Sequence, residues 1–214
     1  MPSTNRVMIT GASSGLGKEL AFVFAKKKFD LLICGREIQE LEFLKKELES
    51  VYNISCIISC GNLLEKKYFI ELIDLAIKSN VQVLINNAAI LCSGKKLNTL
   101  EDSYIDNSIE LNFKIPILLV KYLYENLKSI IMINSMAGIN PKKNRTMYCS
   151  TKSALKMFSE TLMLETDINI LNVYISKLKK SNDDFGLNMD EVSSMIYRSF
   201  KNQEKYLNID GRVI

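Results

Sequence analysis

Short apolar segments alternate with longer amphipathic segments along most of the chain. The short apolar segments predict strands, six of them clear and a seventh weaker. In chain order they are Arg6–Thr10, Asp30–Cys34, Ile54–Ser59, Gln82–Ile85, Ser129–Asn134, Ile170–Ile175 and, as the weaker one, Tyr206–Ile209. The intervening segments predict helices at Gly15–Lys28, Arg36–Ser50, Leu64–Ser79, Asp102–Leu127, Tyr148–Asp167 and Met189–Lys201.

The regular alternation of strand and helix indicates the class of fold. Strands joined by helices form βαβ units with right-handed crossovers and a parallel sheet covered on both faces. The nearly continuous apolar run Leu31–Ile33 fits a strand buried in this way. We therefore expect one α/β domain over residues 1–214, with a single doubly wound, Rossmann-type parallel sheet of six to seven strands and helices on both faces.

Composition excludes several classes of function. No apolar run approaches the roughly 20 residues that span a bilayer, and the N-terminal residues lack the basic and apolar regions of a signal peptide. The net charge of +4 is mild, and Lys26–Lys28 stands at the end of a predicted helix, where cations complement the helix dipole. We expect a cytoplasmic protein that binds neither membrane nor nucleic acid.

The inventory of reactive side chains narrows the chemistry further. The five cysteines are scattered, mostly in apolar runs, and predict free thiols in the core of a protein from a reducing compartment. Cys56 and Cys60 have no second pair to complete a metal site, so we expect no metal. Histidine is absent, so acid–base chemistry must fall to Tyr, Lys, Asp, Glu or Cys.

Tyr148 and Lys152 form the candidate acid–base pair. Residues four apart share one face of a helix, so the phenol and the ammonium would point into one site. A nearby cation favours the phenolate and lowers the pKa of a tyrosine from its ordinary value near 10. Tyr148 is therefore a plausible general acid or base, and the alternative is an exposed pair on the helix surface.

A glycine-rich loop, Thr10–Gly17, follows the first strand and opens the first helix. Glycines let a backbone turn sharply and approach a pyrophosphate, and a helix N-terminus supplies N–H donors. The spacing of Gly11, Gly15 and Gly17 differs from the usual dinucleotide fingerprint, so a glycine-rich helix entry is the alternative. Its place at the start of a βαβ chain favours cofactor binding.

The residues after the second strand predict which dinucleotide is bound. Enzymes for NAD(H) usually place Asp or Glu here to bind the ribose hydroxyls, whereas this chain has Gly35 and then Arg36. A guanidinium can bind a 2′-phosphate through two charge-assisted hydrogen bonds. We predict NADP(H) over NAD(H); the alternative is that Arg36 simply begins a surface helix.

Together with three further segments, these motifs resemble the short-chain dehydrogenase/reductase family from about Arg6 to Val173. Asn86–Ala89 stands where that family usually has Asn-Asn-Ala-Gly after the fourth strand. Asn112 matches the helix asparagine whose backbone carbonyl holds a water in a proton relay. Ser135 matches the serine that hydrogen-bonds the substrate oxygen.

The resemblance implies an oxidoreductase in which a hydride passes between the nicotinamide and a carbonyl or carbinol carbon. Tyr148 would transfer the proton, Lys152 would lower the pKa of Tyr148 and bind the nicotinamide ribose, and Ser135 would hold the substrate oxygen. The cofactor-binding residues that it implies are Gly11, Ser13, Ser14, Gly15, Leu16, Gly17, Arg36, Asn62, Asn87, Ala88, Tyr148 and Lys152. Apolar positions beyond one stripe of the later helices predict a homodimer or homotetramer.

The chain departs from the family pattern after the sixth strand. The usual Pro-Gly that precedes the nicotinamide anchor is absent, and the substrate-covering segment is short, about residues 177–188. Asn62 stands where an aspartate often contacts the adenine, and its amide oxygen could accept the same bond.

Basic residues follow three strands whose carboxyl ends should face the ligand. They are Lys95, Lys96, Lys142, Lys143, Arg145, Lys177, Lys179 and Lys180. They predict a small anionic substrate, such as a sugar or polyol bearing a phosphate or nucleotide, or a carrier-bound acyl group; the alternative is that a lysine-rich chain places lysine in every loop. Two other functions stay open: a cofactor-binding protein without turnover, and an epimerase or dehydratase that recycles its nicotinamide.

Overall fold

The computed structural model of the protein describes residues 5–91, 94–178 and 186–209. One parallel sheet carries all seven strands in the order β3-β2-β1-β4-β5-β6-β7. The strands are β1 (Arg6–Thr10), β2 (Asp30–Gly35), β3 (Cys56–Cys60), β4 (Val81–Asn86), β5 (Ser129–Ser135), β6 (Asn169–Ile175) and β7 (Tyr206–Ile209). The predicted fold class is confirmed, including the weaker last strand.

Seven α-helices cover both faces of the sheet within the described ranges. They are α1 (Gly15–Lys26), α2 (Ile38–Tyr52), α3 (Lys66–Lys78), α4 (Asp102–Ile109), α5 (Ile115–Leu123), α6 (Thr146–Glu165) and α7 (Met189–Lys201). Leu20, Leu41 and Ile196 bring α1, α2 and α7 into the core of one face. Leu72 and Leu155 bring α3 and α6 into the core of the other. Apolar burial on both faces explains why the strand sequences are almost continuously hydrophobic.

The strand order reverses between β1 and β4, the neighbours at the centre of the sheet. In doubly wound sheets, ligands bind beyond the carboxyl ends of the strands at such a reversal. The glycine-rich loop after β1 and the asparagines after β4 both lie at this point. The topology therefore places the candidate residues at the expected crevice.

The segment predicted as one helix, Asp102–Leu127, is helical over Asp102–Asn126 but is not one regular α-helix. Helix α4 ends at Ile109, a π-helical turn occupies Glu110–Lys114, and α5 then begins with a proline, Pro116, in its first turn. Proline lacks the N–H that would continue an α-helical ladder, and a π-helical turn is one way in which a helix accommodates such an interruption. A 3₁₀ turn, Tyr124–Asn126, completes the segment.

The prediction of core cysteines is right for two of the described residues and wrong for two others. Cys34 and Cys56 are buried, whereas Cys60 is exposed and Cys149 half-buried. Burial raises the pKa of the Cys56 thiol to about 12. Cys60 ends β3 at the rim of the sheet, where the chain leaves the core, and Cys92 lies outside the described residues. None of the helices in the described part of the chain is long and apolar enough to cross a membrane.

Candidate active site

A hydrogen-bond network joins the end of β1 to the segment after β4. The Thr10 hydroxyl accepts from the backbone N–H groups of Asn87 (3.0 Å) and Ala88 (3.1 Å) and donates to the carbonyl oxygen of Ile85 (3.3 Å). In return, the Asn87 amide nitrogen donates to the carbonyl oxygens of Thr10 (2.9 Å) and Gly11 (3.2 Å). The predicted cofactor residues Gly11, Asn87 and Ala88 are therefore held together at the crevice.

The glycine loop lies so close to the start of α1 that a side chain would not fit. Gly11 and Gly15 have φ angles of 68° and 57°, in the left-handed region that glycine adopts most readily. A Cβ atom at Gly17 would overlap the carbonyl oxygen of Gly11 and stand 2.7 Å from the Asn87 amide nitrogen. These glycines leave a cradle of backbone, which is what close approach by a pyrophosphate requires.

The first turn of α1 presents its backbone to this cradle. Ser14 is the exposed N-cap residue and its side chain makes no capping hydrogen bond, whereas Leu16 is buried in the core. The N–H groups of a helix start and the positive end of its dipole favour an anion. The local structure thus suits the pyrophosphate of a dinucleotide.

Ser13 and Gly35 come into contact at the adjoining end of β2. A Cβ at Gly35 would lie 2.9 Å from the Ser13 hydroxyl oxygen, so the glycine is needed for the approach of the two segments. Arg36 follows directly and is exposed. Its carbonyl oxygen accepts a weak bond from the Cys60 thiol at 3.4 Å. The structure therefore brings Ser13 and Arg36 to one end of the crevice.

Asn62 lies beyond β3 and is half-buried. Its amide oxygen accepts from the backbone N–H of Leu64 at 3.1 Å. A carbonyl oxygen has a second lone pair, so the bond from adenine that we expect stays a prediction.

Ser135, Tyr148 and Lys152 lie where β5 meets α6. Ser135 ends β5, and its hydroxyl accepts from the Ala137 N–H at 3.1 Å and donates to the Ile175 carbonyl oxygen at 3.3 Å. Helix α6 begins at Thr146, so Tyr148 stands in its first turn. The Lys152 nitrogen lies 5.9 Å from the centroid of the half-buried Tyr148 ring. The phenol and the cation therefore share one site.

Lys152 is a buried amine. Only 3% of the residue is exposed, and its nitrogen donates to the carbonyl oxygen of Ile133 at 2.8 Å. Burial disfavours the charged form and lowers the pKa of Lys152 from 10.5 to about 8. The ammonium form still predominates at neutral pH, in a position to attract negative charge on the phenol.

Asn112 is the buried centre of the π-helical turn. Its side-chain oxygen accepts from the Ile90 N–H at 2.7 Å, and its nitrogen donates to the Ile90 carbonyl oxygen at 3.0 Å. The same nitrogen lies 3.4 Å from the Thr151 hydroxyl oxygen. Asn112 therefore links the segment after β4 to α6 next to Lys152.

Two residues of this site, Thr10 and Thr151, are not among the predicted site residues. Both are buried hydroxyls next to a predicted residue, Gly11 or Lys152. Thr10 ends the apolar run of β1 and Thr151 stands among polar residues beside Lys152, and neither position tells which backbone groups the hydroxyl binds.

The basic loops are only partly described. Lys95, Lys96, Lys142, Lys143, Arg145 and Lys177 are exposed, and Lys179 and Lys180 lie outside the described residues. A hydrogen bond joins the two ends of the predicted substrate-covering segment, about 177–188: the Leu187 N–H donates to the Lys177 carbonyl oxygen at 3.0 Å. Within the described ranges no group of three or more Cys, Asp or Glu residues could hold a metal ion; the absence of a metal stays a prediction.

The fold and this site define a class of protein. Residues 5–177 match the family model of the short chain dehydrogenases. The chain belongs to the short-chain dehydrogenase family, and its predicted membership is confirmed.

Several known proteins are similar to this chain. DltE of Bacillus subtilis, an uncharacterised oxidoreductase, is 30% identical over 211 residues, which cover 91% of this chain and 82% of DltE. The NADP-dependent 3-hydroxy acid dehydrogenase of Schizosaccharomyces pombe is 32% identical over 168 residues, which cover 75% of this chain and 65% of that enzyme. The structure of a short-chain dehydrogenase from Sphingobium yanoikuyae in complex with NADPH has a TM-score of 0.87 at 22% identity, covering 98% of this chain and 88% of that one. The last likeness shows a shared fold.

Proposed function

We propose that the protein is an NADP(H)-dependent oxidoreductase that interconverts a carbonyl group and a secondary alcohol on a small molecule. The observation that carries the proposal is the buried Lys152 amine beside the Tyr148 ring, next to the end of β5 that carries Ser135. If Tyr148 and Lys152 were instead an exposed pair on the helix surface, the Lys152 amine would be in water. Burying it costs stability, which is consistent with a role in acid–base chemistry.

Each residue of the site has a role in this reaction. Tyr148 gives its proton to the carbonyl oxygen during reduction and takes it back during oxidation. The Lys152 ammonium stabilises the resulting phenolate by its charge. Ser135 donates a hydrogen bond to the substrate oxygen once it releases the Ile175 carbonyl. Asn112 keeps the π-helical turn against Ile90, and its backbone carbonyl would hold the water that returns the proton.

The residues of the crevice fit NADP(H). The bound cofactor supplies or accepts the hydride at the substrate carbon. Gly11, Gly15 and Gly17 leave room for its pyrophosphate, and the start of α1 supplies the N–H donors. We assign its binding to Gly11, Ser13, Ser14, Gly15, Leu16, Gly17, Arg36, Asn62, Asn87, Ala88, Tyr148 and Lys152.

The preference for the phosphorylated cofactor rests on the end of β2. Enzymes for NAD(H) usually have an Asp or Glu at this position, whose carboxylate would repel a 2′-phosphate. This chain has Gly35 and Arg36 instead, and Ser13 lies against Gly35. The 3-hydroxy acid dehydrogenase of Schizosaccharomyces pombe, which is similar over three quarters of this chain, is NADP-dependent by name. Both observations support NADP(H).

We further propose an anionic substrate, such as a sugar or polyol bearing a phosphate or nucleotide, or a carrier-bound acyl group. Lys142, Lys143 and Arg145 are exposed and belong to the segment between Ser135 and Tyr148, which supports the proposal because this segment joins two residues of the proposed reaction. Replacing Lys142 and Lys143 by Glu should raise KM for an anionic substrate, with a strong dependence on salt. An unchanged KM would favour the alternative that these lysines are ordinary surface residues of a lysine-rich chain.

We also propose that the protein is a homodimer or homotetramer. Ile109 on α4 and Met157 and Leu164 on α6 are 42%, 62% and 87% exposed, although α4 and α6 pack together. Sedimentation of Leu164→Glu beside the unchanged protein tests this, because a charge in an apolar interface should yield monomers. The single domain over residues 1–214 and the cytoplasmic location stay predictions.

Binding and turnover separate the proposed function from its alternatives. The protein should enhance NADPH fluorescence and should oxidise NADPH with members of a carbonyl panel that includes phosphorylated sugars. Tyr148→Phe should still bind NADPH and lose turnover, since it lacks the hydroxyl that carries the transferable proton. Binding without turnover across the panel would indicate a cofactor-binding module. Conversion of an alcohol with no net change in NADPH would indicate an epimerase or dehydratase.

A further inference from the structure

The position of Ser135 relative to Tyr148 is not fixed by the chain alone. Segment 136–145 separates the end of β5 from the start of α6. Contacts between this segment and α6 must therefore set the separation of the two hydroxyls. Reaction requires both within hydrogen-bond distance of one substrate oxygen.

The segment begins with a 3₁₀ turn, Met136–Gly138, that holds the Ser135 side chain. The Ala137 N–H donates to the Ser135 hydroxyl oxygen at 3.1 Å. A shift of this turn would therefore shift the hydroxyl that contacts the substrate.

The 3₁₀ turn touches α6 at Lys152. A Cβ at Gly138 would stand 2.9 Å from both the carbonyl carbon and the carbonyl oxygen of Lys152, closer than side chains come to a backbone. A hydrogen bond closes this contact, since the Ser153 hydroxyl donates to the Gly138 carbonyl oxygen at 2.7 Å. Ser153 is exposed and is not a predicted site residue.

We propose that Ser153 is a positioning residue for the reaction. Through Gly138 and Ala137 it fixes where the Ser135 hydroxyl stands relative to Tyr148, without touching substrate or cofactor itself. The inference rests on the proposed function. Because water can replace a bond made by an exposed hydroxyl, loss of this bond should affect geometry more than stability.

Three variants test the proposal. Ser153→Ala removes the bond and Ser153→Thr keeps a hydroxyl. Ser50→Ala is the matched control, because the Ser50 hydroxyl also donates to a carbonyl oxygen, that of Glu47 at 3.0 Å, at the end of α2. The measurements are kcat, KM, NADPH affinity, and amide hydrogen exchange at Ala137 and Ile139.

Ser153→Ala should lower kcat about tenfold, since a misplacement of about 1 Å can cost on the order of a hundredfold. KM and NADPH affinity should stay within about twofold, because neither substrate nor cofactor loses a contact. Exchange at Ala137 should become faster. Ser153→Thr should restore kcat, and Ser50→Ala should behave like the unchanged protein.

Two results would overturn the proposal. Faster exchange with unchanged kcat would show that the bond orders the turn without positioning Ser135. Unchanged exchange would show that the bond does not hold the turn. A failure of the proposed function is recognised separately, because the unchanged protein would then reduce no carbonyl compound, and the positioning role would be rejected with it.

Discussion

The amine nitrogen of Lys152 lies 2.8 Å from the carbonyl oxygen of Ile133, two positions before Ser135. One buried side chain therefore fixes the first turns of α6 on the end of β5. The contact also means that the charge near Tyr148 is held in a nearly dry environment, which has consequences for activity and for stability.

Replacing Lys152 by Met should strongly reduce turnover while the fold is kept. The variant fills similar space but cannot stabilise the phenolate, so kcat at neutral pH should fall by about a hundredfold or more. NADPH binding, followed by fluorescence, should weaken less than turnover. A variant with normal kcat would contradict the role given to the ammonium.

The same variant should also change how stability depends on pH. Below the folded pKa of about 8, Lys152 is protonated in both states and its buried charge destabilises the fold. Between pH 8 and 10.5 the folded protein loses this proton before the unfolded chain does, so stability rises with pH. The protein should gain up to about 3 kcal/mol relative to Lys152→Met across this window. Urea unfolding of both proteins at several pH values measures this change in the free energy of unfolding. Both proteins contain the same cysteines, so the contribution of cysteine titration cancels in the difference.

Arg36→Gln should change the choice of cofactor. Losing a charge-assisted bond of about 1.5–3 kcal/mol should raise the Kd for NADPH roughly 10- to 100-fold and leave the Kd for NADH unchanged. The exposed Arg198 on α7 provides the control, since Arg198→Gln removes the same charge elsewhere. An equal effect on both cofactors would exclude a 2′-phosphate contact.

Gly17→Ala should impair cofactor binding more than Gly15→Ala. The new methyl group at Gly17 meets the fixed backbone oxygen of Gly11, so the loop itself must move. At Gly15 the φ of 57° makes alanine strained, at a cost of about 1–2 kcal/mol, but the nearest atom is the Met189 sulfur at 3.8 Å. NADPH titration and urea unfolding of the two variants test the order, and equal losses would contradict it.

Asn112→Ala should destabilise the π-helical turn. The part-buried N–H and carbonyl groups of Ile90 both lose their partner, and an unpaired group costs up to about 1–3 kcal/mol when it is buried. Urea unfolding should therefore show a loss of about 2 kcal/mol or more. Ser108→Ala is a useful comparison, because the hydroxyl of this buried residue donates within its own helix, to the Tyr104 carbonyl oxygen at 2.6 Å. A loss no larger than that of Ser108→Ala would show that the asparagine bonds matter little.

The parts of the fold that depend on local pattern were predictable from the sequence. Strand positions follow from short apolar runs, and the glycine loop follows from residues close together in the chain. The parallel sheet then brings Thr10 and Asn87 together because β1 and β4 are neighbours. The fold class therefore needed no more than periodicity and the rules of βαβ connection.

What the sequence could not predict depends on contacts between distant segments. Pro116 is a local signal for the interruption within Asp102–Leu127, but the bonds from Asn112 to Ile90 and from Ser153 to Gly138 join residues that are 22 and 15 positions apart. No local pattern specifies these partners. The anchoring of the nicotinamide and the charges at Lys179 and Lys180 stay predictions, because residues 179–185 lie outside the described ranges.

The π-helical turn at Glu110–Lys114 makes the count of residues in this segment part of the site. A π-helical turn holds one residue more than an α-helical turn, so deletion of one residue within it would let the chain continue as a regular α-helix, with α4 and α5 keeping the faces they bury. The bulge that brings Asn112 to the Ile90 backbone would be lost, although the identity of Asn112 was unchanged. Such a deletion should therefore preserve the fold and impair the site, whereas a further insertion should disturb both.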